Sequence, residues 1–161
     1  MSLQEFIKGL SGSKRLKVAI LLTKLGLAIW NRYADKNPLS YRDTVVGLRH
    51  TVDKDLLINT INEVERFLTL NALQKFIGGK RRLMKIRSQF DDPIVALQDD
   101  DWRLPDEVQN IFYAVYNLID SLLGKETIYF SINQATDALI TSGTSAVDEI
   151  NDILEEFKNG R

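Results

Sequence analysis

From Val18 to Trp30 the chain reads VAILLTKLGLAIW, an apolar run broken by a single charge, Lys24. A helix that is apolar at nearly every angle needs neighbours on several sides, so the run selects a compact bundle of many helices over a two-stranded coil. It falls short of the roughly 20 apolar residues that span a bilayer. Lys14, Arg15 and Lys17 precede it as in a leader, but no small-residue cleavage site follows. The run therefore reads as the buried central helix of the fold, over about residues 14–35.

The remaining apolar residues repeat at three and four. Leu57, Ile61, Val64 and Leu68 form one stripe; Val108, Ile111, Phe112, Val115, Leu118, Ile119 and Leu122 form another; Val147, Ile150, Leu154 and Phe157 a third. Gly78 and Gly79 read as the stop of a helix begun near Asp53, Pro105 as the start of the next long one and Gly124 as its end. Ser131 and Gln134 have capping-box spacing, which sets a helix from about Ile132 to Thr141, and Ser145 with Asp148 offers a similar cap. Only Thr127 to Phe130 reads as strand, too short and unpartnered to build a sheet. The expectation is an all-α fold, with helices over Gln4 to Leu10, Lys14 to Asp35, Arg42 to Arg49, Asp53 to Ile77, Arg81 to Phe90, Pro93 to Gln98, Pro105 to Leu123, Ile132 to Thr141 and Ala146 to Lys158. No segment reads as a linker and no period repeats, so residues 1–161 make a single helical domain.

Composition then removes whole classes of chemistry. Among 161 residues there are 21 Lys and Arg, 22 Asp and Glu, one His and no Cys, for a net charge of -1. Without cysteine there are no disulfides, thiolate zinc sites, iron–sulfur clusters or thiol nucleophiles. One histidine, His50, excludes ferritin-like di-iron sites, and its neighbours Arg49, Thr51 and Asp53 announce no hydrolytic triad, so it reads as a helix-end or loop residue. Phosphate-cradling glycine motifs and the G-x-S-x-G elbow are missing. Asp99, Asp100 and Asp101 are contiguous, whereas a calcium loop wants acids on alternate positions around a glycine. No catalytic residue, metal ligand or cofactor is assigned.

One helical enzyme class keeps a foothold. Glu149, Asp152, Glu155 and Glu156 have the one-turn spacing with which all-α nucleotide pyrophosphatases hold Mg²⁺, although the same acids lie opposite an apolar stripe as a solvated face would. Asp120 follows Leu118 and Ile119, and Asp137 lies between Ala135 and Leu139; either, if buried, needs a hydrogen-bonded partner.

The most unusual feature is a pair of adjoining charge blocks. Residues 74–90 hold six cations, Lys75, Lys80, Arg81, Arg82, Lys85 and Arg87, and no acid; residues 91–107 hold seven acids, Asp91, Asp92, Asp99, Asp100, Asp101, Asp106 and Glu107, against Arg103 alone. The basic block suits phosphates but lacks interleaved aromatics for stacking on bases. The acidic block suits a basic protein, with Trp102 as an apolar anchor among carboxylates. The two blocks also stand where they can neutralise one another.

The helix VQNIFYAVYNLIDSLLG, a second helix carrying Ala135, Thr136, Asp137 and Ala138, and the turn and helix from Ser142 to Glu149 together resemble the bacterial all-helical YjaG-like proteins of unknown function. That family is similar in pattern to helical immunity proteins of polymorphic toxin systems. The resemblance covers about Val108 to Phe157 and implies a helical bundle with no established catalytic activity; immunity function follows by analogy.

The leading expectation is a bacterial, cytoplasmic, non-enzymatic interaction domain, with an immunity protein that sequesters a toxin as one form of it. Its partner is a protein, bound through Asp99, Asp100, Asp101, Trp102, Asp106 and Glu107, and membranes are not among its partners. Two alternatives stand beside it: a nucleic-acid-binding protein that holds phosphates with Lys80, Arg81, Arg82, Lys85 and Arg87, and a metal-dependent all-α nucleotide hydrolase. Oligomeric state stays open, because an apolar face against a second subunit looks the same in sequence as a core face.

Overall fold

Seven apolar residues on one stripe force a helix to bury most of its circumference, and α7 (Asp106–Leu122) does so: Val108, Ile111, Phe112, Val115, Leu118 and Ile119 are buried, Leu122 at the helix end is half-buried, and Ala114 is buried beside them. The computed structural model describes residues 3–159, of which the side chains of 3, 4, 144–147 and 158 are not described. In chain order the elements are α1 (Leu3–Lys8), α2 (Gly12–Lys36), β1 (Ser40–Arg42), β2 (Arg49–Thr51), α3 (Leu56–Thr69), a one-turn α4 (Ala72–Gln74), a π turn (Lys75–Gly79), α5 (Lys80–Arg87), a 3₁₀ turn (Ser88–Phe90), α6 (Asp91–Gln98), α7, α8 (Ile128–Ser142) and α9 (Thr144–Lys158). The fold is all-α, with a small antiparallel hairpin as its single sheet among the described residues.

α2 packs on α3, α7, α8 and α9. Its inner positions from Val18 to Trp30 are buried, while Lys17, Leu21, Lys24 and Ala28 leave one narrow edge in solvent. It shares the centre of the bundle with α7, which touches α2, α3, α5 and α8. The two helices approach at Gly26, where a Cβ would overlap Ile111 Cδ1 and stand 2.7 Å from its Cγ1. Trp30 lies beside Phe112, centroids 5.6 Å apart, and its indole N–H donates to the carbonyl of Lys54 at 2.9 Å. Every buried side-chain nitrogen and oxygen among the described residues has a partner.

Several expected boundaries move, each for a local reason. The expected helix from Arg42 to Arg49 is instead the hairpin, paired Ser40 to Thr51, Tyr41 to His50 and Arg42 to Arg49. The Asp43 carboxylate accepts from the N–H groups of Val45 at 2.8 Å and Val46 at 3.3 Å, and Gly47 supplies the positive φ, +74°, that brings the chain back. His50 is thus a strand residue, stacked on Tyr41, and not a helix-end or loop residue.

The helix expected from Asp53 to Ile77 breaks at Leu70, whose extended backbone ends α3. A new cap follows at once: Asn71 Oδ1 accepts from Gln74 N at 2.9 Å, and Gln74 Oε1 accepts from Asn71 N at 3.0 Å. Gly78 and Gly79 do not stop a helix, since the π turn runs through them into α5. Gly79 serves close packing, because a Cβ there would stand 2.9 Å from Leu70 Cδ1.

α8 begins at Ile128, so residues 128–130 are its first turn and not strand. Ser131 and Gln134 form no capping box: buried Ser131 donates to the carbonyl of Ala114 at 2.7 Å, and Gln134 accepts from Asn117 at 2.7 Å, both tying α8 to α7. Ser145 lies inside α9, and the side chains of Ser145 and Val147 fall outside those described. No helix among the described residues is long and apolar enough to cross a membrane.

Candidate functional site

The hairpin reaches the core through a file of rings. Tyr41 and His50, opposite each other on one face of the sheet, stack with centroids 5.2 Å apart; Tyr41 then stacks on Trp102 at 5.7 Å, and Trp102 meets Phe112 of α7 edge-on at 5.6 Å. Trp102 is 4% exposed, so it is a core residue that docks the hairpin and not a surface anchor. Its burial follows from having apolar partners on both sides, which an exposed indole among carboxylates would lack.

The apolar part of the surface lies instead at the hairpin tip. Val45 is 88% exposed, Val46 63% and, on the facing side of α6, Val95 52%. These three valines line a hollow of about 190 Å³ whose other walls include Asp43, Asp92, Asp99 and Asp101. Asp101 ties the hairpin turn to the loop after α6, accepting from Thr44 Oγ1 at 3.0 Å and from Thr44 N at 3.4 Å. Asp100, which turns that loop at φ +60°, is exposed. Tyr41 registers the local field: its hydroxyl is held above the ordinary tyrosine value by burial first, then by the negative charges of Asp92, Asp43 and Asp101. Arg42 and Arg49 pair on the opposite face of the two strands, so strand alternation points them away from this hollow.

Not all of the expected acidic face gathers here. Asp106 lines a different hollow with Asn110, Asp137 and Ile140, and Glu107 lines a third with Arg32 and Lys36. The face is therefore built from Asp43, Asp92, Asp99 and Asp101, two of which come from outside residues 99–107. Sequence could have offered Asp43 through its D-x-x-x-G spacing to Gly47, a turn signal ahead of two exposed valines.

The basic block is drawn apart in the same way. Arg82 pairs with Glu63 of α3. Arg87 donates from Nε to Asp120 at 2.7 Å and from its terminal nitrogens to Tyr116 Oη at 2.9 Å and Asp91 at 3.3 Å. Asp120 is 5% exposed and so has the partner its burial requires. The Arg87 guanidinium is held above its ordinary value, chiefly by the hydrogen bond to Asp120. Lys80, Arg81 and Lys85 have no ion pair or hydrogen bond from their side chains among the described residues. Arg87 to Asp91 is the single ion pair between the two blocks among those residues.

The acids weighed for a metal stay dispersed. Glu149, Asp152, Glu155 and Glu156 are exposed along α9, and Asp137 is exposed, not buried. Among the described residues no three acidic or histidine side chains gather as an ion would require. No family model, curated protein or solved structure matches the chain.

Proposed function

We propose that the protein is a bacterial, cytoplasmic interaction domain that binds a basic protein through the hairpin tip and the loop after α6. The observation that supports this reading most directly is the joining of three exposed valines to four carboxylates around one hollow. Apolar side chains at the middle of a contact and charges around them are the arrangement that protein interfaces use, the first for affinity and the second for steering and register. A toxin-sequestering immunity protein is the particular form that the likeness to YjaG-like proteins suggests, with the acids engaging the cationic surface of a nucleic-acid-cleaving toxin.

The test is co-purification with the product of the adjacent gene, followed by titration calorimetry on variants. Val45→Ser with Val46→Ser is expected to weaken binding at least about tenfold, as loss of a central apolar contact does. Asp99→Lys is expected to slow association and to reduce its dependence on salt. A complex that forms with unchanged affinity in both variants would place the interface elsewhere and refute the reading.

A further inference from the structure

From Ala72 to Arg87 the chain forms one rod of α4, the π turn and α5 with two unlike sides. Gly79, Leu83 and Ile86 turn inward and are buried. The outer side keeps Leu73 at 64% exposure, Phe76 at 85%, Ile77 at 68% and Met84 at 60%. Lys80, Arg81 and Lys85, the cations of the block that have no ion pair among the described residues, are exposed along the same stretch. No acid occurs between residues 74 and 90. Local propensity does not require such a surface: Arg82 and Arg87 show that the fold neutralises cations where it has acids to hand, and four large apolar side chains in solvent are a cost that a bundle of this size has core positions to avoid.

Against the sequence expectation that membranes are not among its partners, we propose that this outer side is a docking surface for an anionic lipid bilayer, with Phe76, Ile77, Leu73 and Met84 entering the headgroup region and Lys80, Arg81 and Lys85 against the lipid phosphates. Charge complementarity selects an anionic partner, and the apolar chemistry selects lipid among the anions. Leucine, isoleucine and methionine cannot stack on bases, and Phe76 alone offers a ring, so a nucleic acid would satisfy the cations and leave the aliphatic surface wet. Phe76 is the most exposed of the four apolar side chains. A bilayer interface takes both parts together, as it does from interfacial amphipathic helices with basic polar faces. The near-zero net charge of the chain hides this surface, because the acids that balance it belong to the neighbouring block.

The intact chain is tested by flotation with vesicles of phosphatidylglycerol and phosphatidylcholine against vesicles of phosphatidylcholine alone. It is expected to float with the anionic vesicles, to stay down with the neutral ones and to be released by high salt. Phe76→Ser with Ile77→Ser and, separately, Lys80→Glu with Arg81→Glu are each expected to lower partitioning about tenfold or more. All four positions are exposed, and circular dichroism with thermal melting confirms that the variants are folded. Failure to float with anionic vesicles overturns the proposal. So does flotation that survives Phe76→Ser with Ile77→Ser, and so does tighter binding to a labelled oligonucleotide that only the charge reversal abolishes. None of these outcomes bears on the hairpin face, whose residues are unchanged.

Discussion

Replacing Arg87 by Ala is expected to cost more than any single change to its partners, because of where each charge sits. Asp120 presents a side chain 7% exposed and Arg87 one 28% exposed, joined at 2.7 Å. Truncating the arginine leaves the buried carboxylate without its counter-charge and with the Tyr116 hydroxyl beside it, and removing one partner costs about 3–5 kcal/mol for a fully buried pair. Partial access of water on the arginine side lowers this to about 2–4 kcal/mol, and for a chain of this length the melting temperature falls by about 5–15 °C. Asp120→Ala is milder, about 1–2 kcal/mol, because the guanidinium keeps Tyr116 and Asp91 and can lean into solvent. The double variant is expected to cost no more than Arg87→Ala alone. Equilibrium urea unfolding followed by far-ultraviolet circular dichroism measures all three, with unchanged slopes as the check on two-state behaviour. Additivity within about 0.5 kcal/mol, or a larger loss in Asp120→Ala than in Arg87→Ala, would refute the assignment of the cost to a stranded buried charge.

Three further outcomes follow from the packing. Gly26→Ala forces a methyl group onto fully buried Ile111 and is expected to destabilise by about 1–3 kcal/mol in the same unfolding assay, with no loss meaning that α2 and α7 can slide apart. Gly78→Ala, which meets nothing within 4 Å and needs no positive φ, is expected to stabilise by about 0.5–1 kcal/mol, whereas Gly79→Ala, whose methyl must displace the end of the Leu70 side chain and crowds Phe67, gains less; equal effects would undo the distinction between them. Burial holds Tyr41, Tyr113 and Tyr116 above the ordinary tyrosine value of 10, so the unfolded chain ionises first. Their contribution is complete below pH 10 and is lost as pH rises through the folded values, which alkaline melts paired with phenolate absorbance detect; phenolate appearing at ordinary pH in the folded protein would contradict it.

The long stripes were legible because burial along α7 and α2 follows the helical period without interruption. The hairpin was not, since Val45, Val46 and Leu48 look like half of a helical stripe until Asp43 and Gly47 are weighed as turn chemistry. The same rule was right in kind and misplaced at the caps. Asn71 and Gln74 make the reciprocal bonds expected at Ser131 and Gln134, and what separates the two cases is tertiary: α7 offers Ser131 the carbonyl of Ala114 and Gln134 the amide of Asn117. For the candidate site, the acids were visible in sequence and their grouping was not. Which of seven acids meet depends on how the loop after α6 folds against the hairpin, a contact made by Asp101 and Thr44, 57 residues apart.

The adjoining charge blocks suggest mutual neutralisation, and geometry forbids most of it. Along a helical rod a side chain meets those three or four positions away, so two blocks set end to end can pair only at their seam. Arg87 and Asp91 occupy that seam, at a spacing of four. Beyond it each charge turns to whatever packs beside it: Arg82 to Glu63 on α3, Asp101 to the hairpin turn, and Lys80, Arg81 and Lys85 to solvent. A chain with a net charge of -1 thereby carries a cationic apolar side on α4 and α5 and an acidic apolar hollow at the hairpin. Two surfaces of opposite sign cannot share one partner chemistry, and added salt weakens both at once. Salt alone therefore fails to tell them apart, whereas charge reversal at Asp99 or at Lys80 and Arg81 acts on one surface and leaves the other to serve as its control.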